Sequence, residues 1–248
     1  MLEATNIPWK GNTLVRFGGA GMALSTLFSW LETGQDGFPN VSGIGASTFG
    51  VGLTVFLVGL SLLLRRKSIA VTLGMALGAF AITMIYIVLI SVDTSLLGLG
   101  AWLGMVGSSV AVLGAVQMVF EPEEQLTMEF QPLPTALGSI LAVTASFWLD
   151  WVDGPLNGLN SEVLFGIPVL IMAGIALAVT VHLVTVPHKV TEGLRQTLLA
   201  ISHSAGFAIL VIAGSNVLGL ILGNAAFGSG PLVALVGGVM LTRSISQH

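Results

Sequence analysis

Residues 29–37 read Ser-Trp-Leu-Glu-Thr-Gly-Gln-Asp-Gly, and residues 147–154 read Phe-Trp-Leu-Asp-Trp-Val-Asp-Gly. Each stretch ends one apolar run of the chain and precedes another, and both contain Trp-Leu-acid followed by Asp-Gly. Tryptophan is favoured at the border between hydrocarbon and water, and Asp-Gly favours a turn. The repeated stretch therefore predicts two equivalent points at which the chain leaves an apolar layer and turns back into it.

The composition indicates an integral membrane protein. Hydrophobic residues make up 54% of the 248 residues and charged residues only 8%, with a mean hydropathy of +0.95. Soluble domains carry about 25% charged residues, so this chain has too few charges to cover a soluble surface. Its apolar runs are about 18–25 residues long, the length with which a helix crosses about 30 Å of hydrocarbon. The net charge of −4 is too small to indicate nucleic acid as a partner.

The apolar runs predict an all-α polytopic protein with eight transmembrane helices. They are expected at about residues 13–31, 46–64, 68–90, 96–119, 135–151, 163–186, 195–222 and 229–245. If both termini lie inside, all eight Lys and Arg residues fall on the inner side, as the positive-inside rule requires. The expected location is therefore a cell or virion membrane with both termini inside, and the composition favours a prokaryotic or viral source. On the outer side, tryptophans are expected to form an aromatic belt: Trp30, Trp102, Trp148 and Trp151.

Sequence matches between the two halves predict a tandem duplication of four spans. Residues 49–51 match 165–167, residues 79–82 match 206–209, and a glycine pattern recurs at one offset, with Gly98, Gly100, Val106 and Gly107 against Gly228, Gly230, Val236 and Gly237. The predicted organisation is a first repeat over 1–120 with an N-terminal interfacial lead-in, an acidic cytoplasmic linker over 121–134, and a second repeat over 135–248. Four spans per repeat give both copies the same orientation, related by a pseudo-two-fold axis along the membrane normal.

Two features of this plan admit a second interpretation. The linker carries four glutamates and is expected to be solvated, although it could instead dock a basic partner. Glycines spaced by four, such as Gly74 and Gly78, allow helix backbones to approach closely within a membrane. We expect them to pack helices within the chain, with contacts between copies as the alternative.

Two histidines are the first candidate for chemistry. His182 lies near the inner end of the predicted sixth span and His203 about two turns into the seventh. Two imidazoles at similar depth on adjacent helices are what the axial ligation of a b-type haem requires. The alternative is that each side chain is satisfied locally, and no cofactor is then expected.

The outer loop of the second half is a candidate cation site. Asp150, Asp153 and Glu162 lie close together in sequence with two asparagines between them, and hard cations such as calcium prefer oxygen ligands. The spacing does not match an EF-hand loop, and the turn residues of this segment need no metal to explain them.

A third candidate site lies between the predicted halves. Asn216 is the most polar residue in the outer half of a span, and Pro168 and Pro231 fall near the outer ends of two others. Interrupted helices that expose backbone to a cavity form the substrate sites of many transporters. Proline in the first turn of a helix is also simply favourable there, which is the competing interpretation.

The sequence excludes several classes of function. The chain has no cysteine, so disulfides and thiolate chemistry are absent. All three lysines fall at the predicted inner surface, where none could hold a retinal in mid-membrane. No nucleophile elbow, zinc-binding helix or nucleotide-binding loop is found, so an enzyme is less expected than a non-enzyme, although a quinone site would leave little trace.

Three functions remain open from the sequence. The first is a non-catalytic structural or anchoring subunit of a larger membrane assembly, whose partners are the bilayer and other membrane subunits or further copies of the chain. The second is a small-solute transporter or channel with its site between the two repeats. The third is a haem- or quinone-binding redox subunit that uses His182 and His203.

Overall fold

The computed structural model describes residues 10–32, 41–42, 50–64, 68–90, 97–120, 128–152, 156–159, 164–223 and 228–247. Within these ranges there are eight α-helices: α1 (Gly11–Ser25), α2 (Val51–Leu64), α3 (Ile69–Ile90), α4 (Leu99–Phe120), α5 (Pro132–Trp148), α6 (Gly166–Thr185), α7 (Glu192–Leu222) and α8 (Ser229–Ser244). The same ranges hold six short strands: β1 (Ser29–Leu31), β2 (Val41–Ser42), β3 (Met128–Phe130), β4 (Asp150–Val152), β5 (Leu156–Asn157) and β6 (Ile245–Gln247).

Four of these helices are long and apolar enough to cross a membrane. They are α3, α4, α6 and α7, with mean hydropathies of 2.4, 1.8, 2.4 and 2.2, while α2 and α5 are shorter apolar helices. Large apolar side chains lie exposed along the outside of the bundle, among them Phe17, Leu64, Leu113 and Phe120. A bundle of apolar helices with an apolar outer surface is thus confirmed.

The helices form two groups of four that share one packing pattern. In the first group α1 packs against α2 and α4, and α3 packs against α2 and α4. In the second group α5 packs against α6 and α8, and α7 packs against α6 and α8. The two groups meet mainly where α3 packs against α7.

Helices α3 and α7 run parallel along this seam. A Cβ atom added at Gly74 would collide with the Ser204 carbonyl oxygen and would lie 2.5 Å from Cβ of Phe207. At Gly78, one turn further along α3, it would lie 2.6 Å from Cβ of Val211, one turn further along α7. The contacts advance together along both helices, and the predicted intramolecular packing at Gly74 and Gly78 is confirmed.

Within each group, glycines bring the backbones of the first and fourth helices together. A Cβ atom at Gly18 of α1 would lie 2.5 Å from the carbonyl oxygen of Gly107 in α4. In the second group, a Cβ atom at Gly237 of α8 would lie 2.6 Å from the carbonyl oxygen of Gly138 in α5. Both contacts are too close for any side chain, so that helix-to-helix attraction here comes from direct backbone packing.

A short hairpin with a buried tryptophan follows the first helix of each group. Strand β1 pairs antiparallel with β2, and β4 pairs antiparallel with β5. Trp30 and Trp151 have no exposed surface, and their indole N–H groups donate to the carbonyl oxygens of Ser25 at 3.0 Å and Ala145 at 2.8 Å. These carbonyls lie in the last turns of α1 and α5, where carbonyls lack the usual helical partner. The Ser25 carbonyl also accepts from the Phe28 N–H at 3.2 Å.

The buried indoles correct the predicted aromatic belt. Trp102 and Trp148 are 49% and 72% exposed, as expected at an interface, but Trp30 and Trp151 belong to the core. Their burial is possible because each indole N–H has a carbonyl acceptor, which removes the cost of taking a polar group out of water.

The hairpins also correct the predicted ends of two spans. Helix α1 ends at Ser25 rather than residue 31, and α5 ends at Trp148 rather than residue 151, with strands beyond each. The structural counterpart of Trp30 is Trp151, not Trp148, as glycines of α4 and α8 indicate. Gly100 lies against the Trp30 indole, and Gly230 lies against the Trp151 indole. A Cβ atom added at Gly230 would lie 2.5 Å from Cδ1 of Trp151.

Part of the predicted linker is a strand. Strand β3 pairs antiparallel with β6, with Phe130 opposite Ile245, and the Met128 N–H donates to Oε1 of Gln196 at 2.8 Å. Helix α5 then begins at Pro132, ahead of the predicted boundary at 135. The last described segment of the chain is therefore fixed against the segment that joins the two groups, whereas residues 121–127 lie outside the described residues.

The glycine contacts yield the first prediction. Gly107→Ala should lower the free energy of unfolding by about 1–3 kcal/mol, because the new methyl group must push α4 away from α1. Gly174→Ala and Gly214→Ala are matched controls, since no atom lies within 4 Å of a Cβ placed at either position. We expect these controls to be neutral or stabilising by up to about 1 kcal/mol through helix propensity. Thermal unfolding in detergent measures all three, and equal melting temperatures would contradict the proposed packing.

The buried indoles yield the second prediction. Trp30→Phe and Trp151→Phe should each cost about 0.5–1.5 kcal/mol through loss of one buried hydrogen bond. The corresponding alanine variants should cost about 3–5 kcal/mol because they also leave a cavity. Trp148→Ala, at an exposed position, should change stability by less than about 0.5 kcal/mol. A Trp148 variant as unstable as the other two would overturn the assignment of core and surface tryptophans.

Candidate functional site

Polar atoms without partners concentrate on one helix. Among the described residues, five buried side-chain atoms have no hydrogen-bond partner: Tyr86 Oη, Ser202 Oγ, His203 Nδ1, Ser215 Oγ and Asn216 Oδ1. Four of the five lie on α7, the 31-residue helix at the seam. An unpaired buried polar group costs about 1–3 kcal/mol, so α7 is the element on which a site is to be sought.

The C-terminal part of α7 meets the start of α2 at a position that favours glycine. Gly50 has a φ of +71°, and a Cβ atom there would lie 2.5 Å from the Gly219 nitrogen and 3.0 Å from the Ser215 carbonyl oxygen. Left-handed backbone and close approach both favour glycine. Since α2 belongs to the first group and α7 to the second, Gly50, Ser215 and Asn216 form a candidate site at the seam.

Tyr86 belongs to the core of the first group. Its ring centroid lies 5.3 Å from that of Trp30 at an interplanar angle of 59°, a tilted aromatic contact. It lies two turns beyond Gly78 on α3, which places it at about the level of Asn216 along the parallel pair. Tyr86 thus packs in the core, and its buried hydroxyl has no hydrogen-bond partner among the described residues.

The two histidines have different surroundings. His203 is 7% exposed and stacks on Phe207, with centroids 5.2 Å apart and an interplanar angle of 6°. His182 lies exposed in the last turn of α6. No hydrogen bond or ring contact joins the two imidazoles in the described part of the chain. Binding of haem by this pair stays a prediction.

The two prolines begin helices and do not break them. Pro168 is the third residue of α6 and Pro231 the third residue of α8, and both helices continue without interruption. In the first turn the missing N–H of proline costs nothing, because that N–H has no acceptor within the helix. Both prolines thus lie where the competing interpretation expected them, in first turns, and a substrate site formed by Asn216, Pro168 and Pro231 stays a prediction.

The predicted cation loop is described only in part. Asp150 is exposed in β4, while Asp153 and Glu162 lie outside the described residues. The Asn157 amide serves the turn, since Nδ2 donates to the Phe147 carbonyl at 3.2 Å and Oδ1 accepts from the Leu159 N–H at 3.1 Å. Within the described ranges no group of three His, Asp or Glu side chains could hold a metal ion. The cation site stays a prediction.

A surface groove was not indicated by the sequence. It has a volume of about 300 Å³, lies between α1 and α2, and is lined by Thr13, Arg16, Phe17, Ala20 and Leu63. Arginine at this point of the sequence was interpreted only as a marker of the inner side. The groove itself had no signal in the sequence, because it depends on how α1 and α2 cross.

No protein family, curated protein or solved structure matches the chain. The class of protein is therefore defined by the fold itself, a helical bundle of which four described helices are long and apolar enough to cross a membrane.

Proposed function

We propose that the chain crosses the membrane eight times, as two tandem four-helix units in the same orientation with both termini inside. The shared packing pattern of the two groups, the parallel pair α3 and α7, and a hairpin with a buried indole in each group all support this arrangement. The four shorter helices have 14–17 residues, which corresponds to about 21–26 Å. Hairpins that continue from α1 and α5 extend those two crossings.

We further propose that the protein is a non-catalytic structural or anchoring subunit of a membrane assembly, in contact with other membrane subunits or further copies of itself. The observation that carries this proposal is backbone contact at glycines within each unit and along the seam. Such contacts leave no space for a side chain between the helices and favour a single rigid arrangement.

The buried polar residues support the same conclusion. In the described part of the chain they are serines, threonines, His203 and Asn216, without any buried Asp, Glu, Lys or Arg. Proton relays and ion pathways commonly use ionisable groups of these four types inside the membrane. A structural role requires none of them.

A small-solute transporter or channel is the second candidate, and the seam site favours it. Asn216 Oδ1 and Ser215 Oγ are buried without partners beside the contact of α7 with Gly50. Polar atoms that lack a protein partner at a junction of two units are suited to bind a polar solute.

The proposed topology is tested by labelling introduced cysteines, since the native chain has none. Asp36→Cys and Asp153→Cys should react with a membrane-impermeant maleimide from outside, and Arg66→Cys and Lys189→Cys only after permeabilisation. Asp36 and Arg66 are separated by one of the shorter helices, α2. Labelling of these two positions from the same side would show that α2 does not cross and would overturn the eight-span arrangement.

The proposed function is tested by purification in mild detergent with cross-linking, followed by reconstitution of the chain alone. We expect a stoichiometric partner, and we expect Asn216→Leu to leave the assembly intact and the melting temperature unchanged or raised. An apolar side chain of similar size removes the unpaired oxygen at little cost. Ser108→Ala, which removes a buried hydroxyl paired with the Met105 carbonyl at 3.0 Å, is the control.

Flux of a small solute through the reconstituted chain would support the transporter or channel. If liposomes containing only this chain pass a small polar solute, and Asn216→Leu abolishes that flux while Ser108→Ala does not, the structural role is wrong. Absence of a partner together with absence of flux would contradict both proposals.

A further inference from the structure

The groove between α1 and α2 results from the way these helices cross. At Gly19 an added Cβ atom would lie 2.8 Å from the Gly59 carbonyl oxygen, so the backbones touch there. Residues 12–17 of α1 contain no glycine, and the groove lies beside them. The resulting space of about 300 Å³ is lined by Thr13, Arg16, Phe17 and Ala20 of α1 and Leu63 of α2.

Among the described residues, Arg16 is the only charged side chain that lines this groove. It lies exposed in the second turn of α1, about 8 Å from the start of the helix. Among the described residues Arg16 forms no ion pair, whereas Arg195 pairs with Glu192. The guanidinium therefore presents its donors to the surroundings of the protein.

The neighbours of Arg16 define what those surroundings are. Phe17 is 57% exposed, and Leu63 and Leu64 are 36% and 77% exposed, which places the groove on the apolar outer surface. A charged side chain on such a surface is costly unless it reaches the headgroup layer and finds a counter-charge there. Arginine can donate two parallel hydrogen bonds to one phosphate group. A phosphate is therefore a better partner for Arg16 than water molecules are.

We propose that this groove binds an anionic phospholipid, with Arg16 and the Thr13 hydroxyl on the phosphate and one acyl chain along Phe17, Ala20 and Leu63. The local charge favours an anionic headgroup over a zwitterionic one, since no carboxylate lines the groove within the described part of the chain. Lys10 precedes α1, whose N-terminal end carries the positive end of the helix dipole. The inference rests on the proposed embedding in a membrane and is independent of the proposed partner.

Lipid binding to the full chain in zwitterionic nanodiscs tests the proposal, with phosphatidylglycerol as the probe and native mass spectrometry as the readout. Wild-type protein should retain phosphatidylglycerol in preference to phosphatidylcholine. Arg16→Gln should weaken this retention by about tenfold, the effect of losing one charge-assisted contact. Arg16→Lys should restore part of it.

Arg243→Gln is the matched control, because Arg243 is an exposed arginine at the end of α8, away from the groove. It should retain the lipid as wild type does. Leu63→Trp, which fills the groove and keeps Arg16, should also lose the lipid and provides a second test if Arg16→Gln fails to fold. Retention by both groove variants, or equal retention of the two lipids, would overturn the proposal.

Competition with inorganic phosphate distinguishes a phospholipid headgroup from a free phosphate ion as the occupant of the groove. Failure of phosphate to displace the lipid supports a lipid site, since the acyl contacts add to the headgroup contact. Displacement at low phosphate concentration would show a free-anion site and overturn the lipid assignment. Cysteine labelling reports on membrane crossing independently, so a failed lipid test and a failed topology are told apart.

Discussion

Direct contact between helix backbones is the interaction on which the rest of this bundle depends. Between apolar helices in lipid there is no hydrophobic driving force, so attraction must come from close packing. Gly18 against Gly107 holds the first group together, Gly138 against Gly237 holds the second, and Gly74 and Gly78 join the groups along α3 and α7. In the first group this contact continues along the whole of α1, since an added Cβ atom at Gly11 would lie 2.6 Å from the Gly114 carbonyl oxygen and one at Gly100 would lie 2.6 Å from the Ser25 carbonyl oxygen.

The buried indoles of Trp30 and Trp151 extend the packing of the first and fourth helices beyond the end of the first helix. Each of them lies beyond the first helix of its group, against a glycine of the fourth helix, and donates to a carbonyl in a last helical turn. The indole of Trp30 reaches back five residues and that of Trp151 six. The same contact is thus made with one residue more in the second group. Matching Trp-Leu-acid in sequence instead paired Trp30 with Trp148, three residues before its structural counterpart Trp151.

The helices could be predicted from sequence because their signal is local. Helix α3 was expected at 68–90 and is found at Ile69–Ile90, since apolar composition and length alone identify it. The burial of Trp30 could not be predicted in this way, because a hydropathy pattern does not distinguish a tryptophan at an interface from one in the core. The pairing of Phe130 with Ile245 could not be predicted either, because the pattern carries no information on contacts between segments far apart in sequence. For the site, Asn216 and His203 stand out in sequence as polar residues in apolar runs. The environment of Arg16 does not, because it depends on how two helices cross.

The arrangement of polar residues along α7 bears on the choice between a structural protein and a solute pathway. Ser202 and His203 form one polar pair and Ser215 and Asn216 the other, with 13 residues, or about 20 Å, from one pair to the next. Ser204 extends the first pair, and the segment that follows, 205–214, contains only Ala, Gly, Phe, Ile, Leu and Val. With α7 placed across a hydrocarbon layer about 30 Å thick, as proposed, the polar pairs would lie toward its two sides and the apolar segment at its centre. A pathway for polar solutes needs polar contacts where dehydration is most costly, which is the centre, whereas polar groups near the two sides can be tolerated by a rigid structural bundle.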